Sequence, residues 1–259
     1  MSIEAKDVCF RYGHHVVLNE VSFCLQRGEL LFILGQNGAG KSSLLKCLLG
    51  LSRGYEGSIL LDGQEVRSLH PGQLARKAAY IPQNHQPGFD YTVLQVALMG
   101  FASSISTFSV PKGAQRTKAE QVLNSLNIAH LKDRGYMHLS GGERQLAIIA
   151  RALIQEAPML LMDEPVAGLD FGNQQRVLST ARALSMRGYG IALTSHHPEH
   201  AFFYADRVMV LDEGHVAAIG PPREVLTKEL LERIYRIPIR LIDCALGEET
   251  VRMCCPATK

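Results

Sequence analysis

One stretch leaves the backbone little choice: Gly35-Gln-Asn-Gly-Ala-Gly40-Lys41-Ser42, set directly after the apolar run Glu29-Leu-Leu-Phe-Ile-Leu34. A short continuous apolar run ending in glycine reads as a strand buried on both faces. Lys41 to Gly50 then reads as a helix closed by a glycine. The pattern G-x-x-x-x-G-K-[ST] between a strand and a helix is a phosphate cradle, in which glycines let backbone N–H groups converge on phosphate oxygens. The positive end of the following helix faces the same anion. Candidate contacts are Gly35, Asn37, Gly38, Ala39, Gly40, Lys41, Ser42 and Ser43. Lys41 is expected to reach the β- and γ-phosphates and Ser42 to hold Mg²⁺. By average residue usage, a chance match in a chain of this length is on the order of one in a hundred.

A second apolar run, Met159-Leu-Leu-Met162, ends in Asp163-Glu164. Acids at the carboxyl end of a parallel strand lie in the crevice where ligands bind in open α/β sheets. Asp163 is placed to hold Mg²⁺ through water, and Glu164 to polarise an attacking water. Leu139-Ser140-Gly141-Gly142-Glu143 opens an apolar helix. A capping box accounts for Ser140 and Glu143, but not for two adjacent glycines, which weaken a helix. Bare N–H groups at a helix start make a second anion site. One nucleotide already has its cradle, so the second site points to a second nucleotide and a second copy of the chain.

Ile3 to Phe10 and Val16 to Leu25 alternate at near period two, as strands do. A strand at Ser58–Leu61, a helix near Gln73–Lys77 and a strand at Ala79–Ile81 follow. From about residue 84 to 155 the signals turn helical, at Thr92–Phe101, Ala114–Asn127 and Gly142–Gln155. The α/β pattern resumes with strand Met159–Asp163, helix Asn173–Met186 and strand Ile191–Ser195. Strands Val208–Asp212 and His215–Ile219 and a helix over Pro222–Tyr235 come next. The last two dozen residues show no periodicity, and Cys254-Cys255 reads as part of a frayed terminus.

The formal charge of +2 disfavours sequence-independent nucleic-acid binding. No apolar stretch is long enough to span a bilayer, and Met-Ser-Ile-Glu-Ala-Lys-Asp is unlike a secretion signal, so a cytosolic chain is expected. Six scattered cysteines read as reduced thiols. His196, His197 and His200 invite a zinc reading, but no third set of ligands accompanies them.

Together these residues resemble the ATP-binding cassette (ABC) ATPases: Gly35 to Ser42 as the Walker A loop, Leu139 to Glu143 as the signature, Asp163-Glu164 closing Walker B. The resemblance covers roughly residues 2 to 230 and adds four roles. Tyr12 resembles the aromatic that stacks on adenine, and Gln83 the glutamine that contacts Mg²⁺ and water. Asp170, in Ala-Gly-Leu-Asp, resembles the D-loop aspartate, and His196 the switch histidine that touches the γ-phosphate. The signature departs from the family in Glu143, where glutamine is usual, and Val166-Ala167-Gly168 replaces the common Thr-Ser-Ala.

The fold implied is α/β, a P-loop NTPase (RecA-like) core with an N-terminal antiparallel β subdomain and an inserted all-helical subdomain. The ATPase domain is expected over 1–230, with the insertion at 84–155 and a C-terminal tail at 231–259. The activity implied is hydrolysis of ATP, with Mg²⁺, by two copies facing head to tail, at the cytoplasmic face of the cell membrane. Partners are two transmembrane permease subunits and, indirectly, a substrate-binding protein. One cassette with no coiled coil favours transport over the DNA-maintenance and translation classes. Asp90-Tyr-Thr-Val-Leu-Gln-Val-Ala-Leu-Met-Gly100, followed by Ile105-Ser-Thr-Phe, resembles the importer branch for metal chelates: iron–siderophore, haem, vitamin B12 and, in some members, molybdate or tungstate. Tyr91 to Gly100 is expected to line the groove where a membrane subunit docks.

Overall fold

In the computed structural model, residues 1–83, 89–103, 113–246 and 249–257 are described. Strands β1 (Ser2–Tyr12) and β2 (His15–Gln26) form a hairpin, and β3 (Leu30–Leu34) leads through the phosphate loop into helix α1 (Lys41–Leu48). β4 (Glu56–Leu61), β5 (Gln64–Glu65), α2 (Pro71–Lys77) and β6 (Ala78–Ile81) follow. The elements described between β6 and β7 are all helical, chiefly α3 (Val93–Leu98), α4 (Gly113–Ser125) and α5 (Gly141–Ile154). The second half runs β7 (Met159–Met162), α6 (Phe171–Met186), β8 (Gly190–Ser195), α7 (Pro198–Tyr204), β9 (Arg207–Asp212) and β10 (His215–Gly220). It closes with α8 (Pro222–Val225), α9 (Lys228–Tyr235), β11 (Ile239–Leu246) and β12 (Glu249–Pro256). Ile105 to Phe108 lies outside the described residues.

The central sheet has the order β10-β9-β3-β8-β7-β6, parallel except for the β9–β10 hairpin at one edge. Its inner strands β3 and β7 are apolar and buried without interruption because both faces are covered. Leu30, Phe32 and Leu34 enter one core with α5 and α6, while Leu31 and Ile33 enter the other with β1, β2 and α1. The strand period of two thus divides a single run between two cores. The antiparallel sheet β2-β1-β4-β5 covers the second core. The helical insertion is fixed through the amphipathic α5, whose Ile148, Ile149 and Ala152 are buried in the first core.

Two expectations are corrected. The single helix over Pro222–Tyr235 is broken after Val225: Thr227 caps a new helix, its hydroxyl accepting from the Leu230 N–H at 3.2 Å. The frayed terminus is instead the hairpin β11–β12, in register from Ile239↔Pro256 to Leu246↔Glu249. Leu241 and Cys254, opposite each other, pack on the first core beside the half-buried Tyr235 of α9. Pairing across a turn supplies partners that one strand's pattern does not reveal.

Candidate functional site

Adjacency in the sheet assembles the site. β3, β8 and β7 are consecutive parallel neighbours, so the segments leaving their carboxyl ends converge: the phosphate loop, Ser195-His196 and Asp163-Glu164. Open α/β sheets bind ligands at this position. A cleft of about 510 Å³ is lined by Asn37, Gly38, Gly40, Lys41, Ser42, Ser43, Gln83 and Glu164, with Val17 from β2.

Gly40 sits at φ +101° as the residue before α1, and a Cβ there would stand 2.6 Å from the Val17 carbonyl oxygen. The loop can pass so close to β2 only as glycine. No side chain caps α1, so its first N–H groups remain open to an anion in the cleft. Lys41 is 5% exposed; its Nζ donates to the carbonyls of Gly35 (2.8 Å) and Gln36 (3.0 Å) and lies 3.2 Å from Glu164 Oε1.

Ser42 Oγ donates to Asp163 Oδ1 at 2.9 Å, Thr194 Oγ1 donates to the same oxygen at 2.8 Å, and Tyr80 OH donates to Oδ2 at 3.2 Å. Burial, and secondarily Asp163, raises the Tyr80 phenol, which therefore stays a donor. Thr194 Oγ1 also accepts from the Glu164 N–H at 2.8 Å, fixing the backbone of the second acid at φ +41°. A glutamate in the left-handed region is strained, as residues at functional sites often are. Glu164 Oε2 is 3.5 Å from Gln83 Nε2 and 3.3 Å from His196 Nδ1. Thr194 and Tyr80 escaped the sequence reading; their signal is position, one residue from Ser195-His196 and three from Gln83 on strands ending at the cleft.

Ser140 to Glu143 do not line the cleft. Glu143 Oε2 accepts from the Ser140 N–H at 2.8 Å, and Ser140 Oγ accepts from the Glu143 N–H at 3.4 Å, a reciprocal capping box. The Ser140 N–H bond lowers the Glu143 carboxyl below its usual range. Packing accounts for the two glycines. A Cβ at Gly142 would collide with the Asn173 side chain, and one at Gly141 would stand 2.7 Å from Leu169 Cδ2. Asp170 caps α6, accepting from the Asn173 N–H at 2.9 Å and from its Nδ2 at 2.7 Å. Ser140–Glu143 and Leu169-Asp170 are thus one packed unit, with Asn173 and Leu169 as unforeseen members. Tyr12, 52% exposed, stands edge-on to Phe10 with centroids 4.9 Å apart.

Of the segment Tyr91–Gly100, Val93, Leu94, Val96 and Ala97 are buried in the first core, so most of it is the packing face of the helical subdomain. Met99 and Gly100 do reach a second cleft, about 430 Å³, between that subdomain and the α/β core, with Leu49, Leu51, Leu74 and Arg151 also on its walls.

Fold and cleft define a P-loop NTPase of α/β class with an antiparallel β subdomain and a helical subdomain. A sequence model of the ABC transporter family matches residues 18–167. The chain belongs to the ATP-binding subunits of ABC transporters. It is 40% identical over 227 residues to the hemin import ATP-binding protein of Nocardia farcinica, covering 88% of this chain and 78% of that one. It is 33% identical over 240 residues to the molybdate import ATP-binding protein of Haemophilus influenzae, 92% of this chain and 89% of the relative. A solved structure described as an inward-facing, metal-chelate type ABC transporter superposes with a TM-score of 0.88 at 32% identity, over 99% of this chain and 97% of the other. ATP hydrolysis coupled to transport is the activity of this family; the soluble DNA-maintenance and translation classes fall away.

Proposed function

We propose that this chain energises a membrane importer as two copies arranged head to tail, each ATP held between the phosphate loop of one and Ser140–Glu143 of the other. The observation that carries the reading is Glu164, poised at the phosphate cleft between Lys41 Nζ (3.2 Å) and His196 Nδ1 (3.3 Å). Gly35, Asn37, Gly38, Ala39, Gly40 and Ser43 give the phosphates their backbone and hydroxyl donors, and Tyr12 stacks on the adenine. Lys41, held by two loop carbonyls and Glu164, turns to the β- and γ-phosphates when nucleotide enters. Glu164 is thereby released to take the proton of an attacking water. His196 and Gln83 orient that water and the γ-phosphate, and Asp170 joins the site from the opposing copy.

The oxygen donors Ser42 Oγ and the Asp163 carboxylate, already 2.9 Å apart, fit a hard divalent cation. With Gln83 they would hold Mg²⁺, which when bound neutralises charge on the phosphate oxygens. Among the described residues no helix is long and apolar enough to cross a membrane. Two permease subunits then carry the path, and the chain rides on them at the cytoplasmic face. In each copy the apolar cleft beside Met99 and Gly100 receives a loop of one of them. Residues 1–230 serve as the ATPase unit with 84–155 inserted, and 231–259 as a C-terminal element. The relatives' cargoes favour a metal chelate such as haem or an iron–siderophore, or else an oxyanion such as molybdate, delivered by a binding protein.

The test is copurification of the tagged chain from detergent-solubilised membranes. A polytopic partner at one-to-one stoichiometry is expected, with ATP turnover stimulated by binding protein loaded with haem, iron chelate or molybdate. A soluble partner, or none, overturns the proposal.

A further inference from the structure

The turn after β8 and the first turn of α7 together carry three histidines and a glutamate, of which the proposed chemistry uses only His196. His196 Nδ1 is buried and makes no hydrogen bond; Glu164 Oε2, at 3.3 Å, is not aligned for one. The His197 ring packs against this ring, with centroids 4.2 Å apart and planes tilted by 39°. His197 is fixed on three sides. Its backbone N–H donates to Ser195 Oγ at 3.0 Å, its Nδ1 is 3.0 Å from Glu199 Oε1, and the His200 ring stands 5.0 Å off. His200 is 5% exposed on α7, the helix that β12 packs against. The Glu199 carboxylate, against the opposing effect of burial, raises His197 above its ordinary value, so the pair gains charge-assisted strength near neutrality. Neither His197 nor Glu199 lines the phosphate cleft.

We propose that His197 is a positioning residue: a ring plate, clamped by Glu199 and backed by His200, that keeps His196 facing Glu164. The inference rests on His196 belonging to the catalytic site. Misplacing a catalytic group by about 1 Å costs up to about 10²-fold in rate. A ring free to turn should fall short of that limit.

The experiment is steady-state ATP hydrolysis by the full-length chain. His197→Ala is expected to lower kcat about tenfold with KM for ATP unchanged. His197→Phe, which keeps the plate, should recover most of the loss, and Glu199→Gln should fall between. His196→Ala separates the two readings. If it leaves kcat intact, the catalytic reading fails and the positioning role falls with it. If it abolishes turnover while His197→Ala retains full kcat, only the positioning role is overturned. A loss in His197→Ala that Phe does not rescue, or that is matched by a fall in thermal midpoint and a rise in KM, marks a structural residue and also overturns it.

Discussion

Two helix N-termini in this chain answer the same electrostatic problem in opposite ways. α1 begins at a glycine with no side-chain cap, and its N–H groups open into the cleft. α5 begins at Ser140, whose own Glu143 closes a reciprocal box. The first end depends on an outside anion to complete it, while the second already has its Ser140 and Glu143 N–H groups satisfied within the single chain. The difference matches the proposed division of labour. One half-site binds nucleotide by itself, and the other engages only when a second copy presents a phosphate and the Ser140 hydroxyl turns away from a 3.4 Å bond.

The largest effect that would sharpen this contrast lies at the open end. Glu164→Gln should bind ATP and accumulate an ATP-bound dimer, while turnover falls by about 10²-fold or more; normal turnover breaks the assignment. Lys41→Ala removes a cation whose hydrogen bonds are worth about 1.5–3 kcal/mol. ATP affinity, read by fluorescence titration, should fall by one to two orders of magnitude. Ser140→Arg should leave that titration unchanged yet abolish the ATP-bound dimer in size exclusion, and a stable dimer would refute the shared site.

Smaller effects follow at the closed end. Ser140→Ala loses a cap worth about 1 kcal/mol. By calorimetry the midpoint should drop by roughly 2–4 °C, whereas Glu143→Gln, which preserves the box and loses only its charge, should lower it less. The smallest effect is in pH. The Glu143 carboxyl is lowered by the Ser140 N–H, and that of Asp170 by the Asn173 N–H. A lowered folded-state value contributes stability above the unfolded value, about 4 for these acids, and loses it as pH falls through the folded value. In the Glu143→Gln variant the acid-side decline of the midpoint should begin at slightly lower pH, and an unchanged acid limb would remove Glu143 from that linkage.

The alternating strands, the phosphate loop and the Asp163-Glu164 pair were legible because period-two patterning and glycine spacing are local properties. What stayed hidden depends on partners distant in the chain. Thr194 bridges Asp163 and Glu164 from β8, and Tyr80 reaches Asp163 from β6, because the sheet order sets those strand ends side by side. The paired glycines at Gly141 and Gly142 have a packing reason that the sequence does not show: the collision with Asn173 and the close approach of Leu169 are visible only once α5 and α6 pack. The C-terminal hairpin was missed because neither of its strands alternates cleanly and each is completed by the other.

The sequence by itself determined the strand–loop–helix cradle, since an apolar run followed by Gly35, Gly38, Gly40, Lys41 and Ser42 is a local pattern that needs no distant partner to be read. Tertiary structure alone decided that Lys41, Glu164 and His196 meet, and that His197 stands behind them. Those residues leave three different strands, and only the hydrogen-bonded order β3-β8-β7 brings their carboxyl ends within reach of one another.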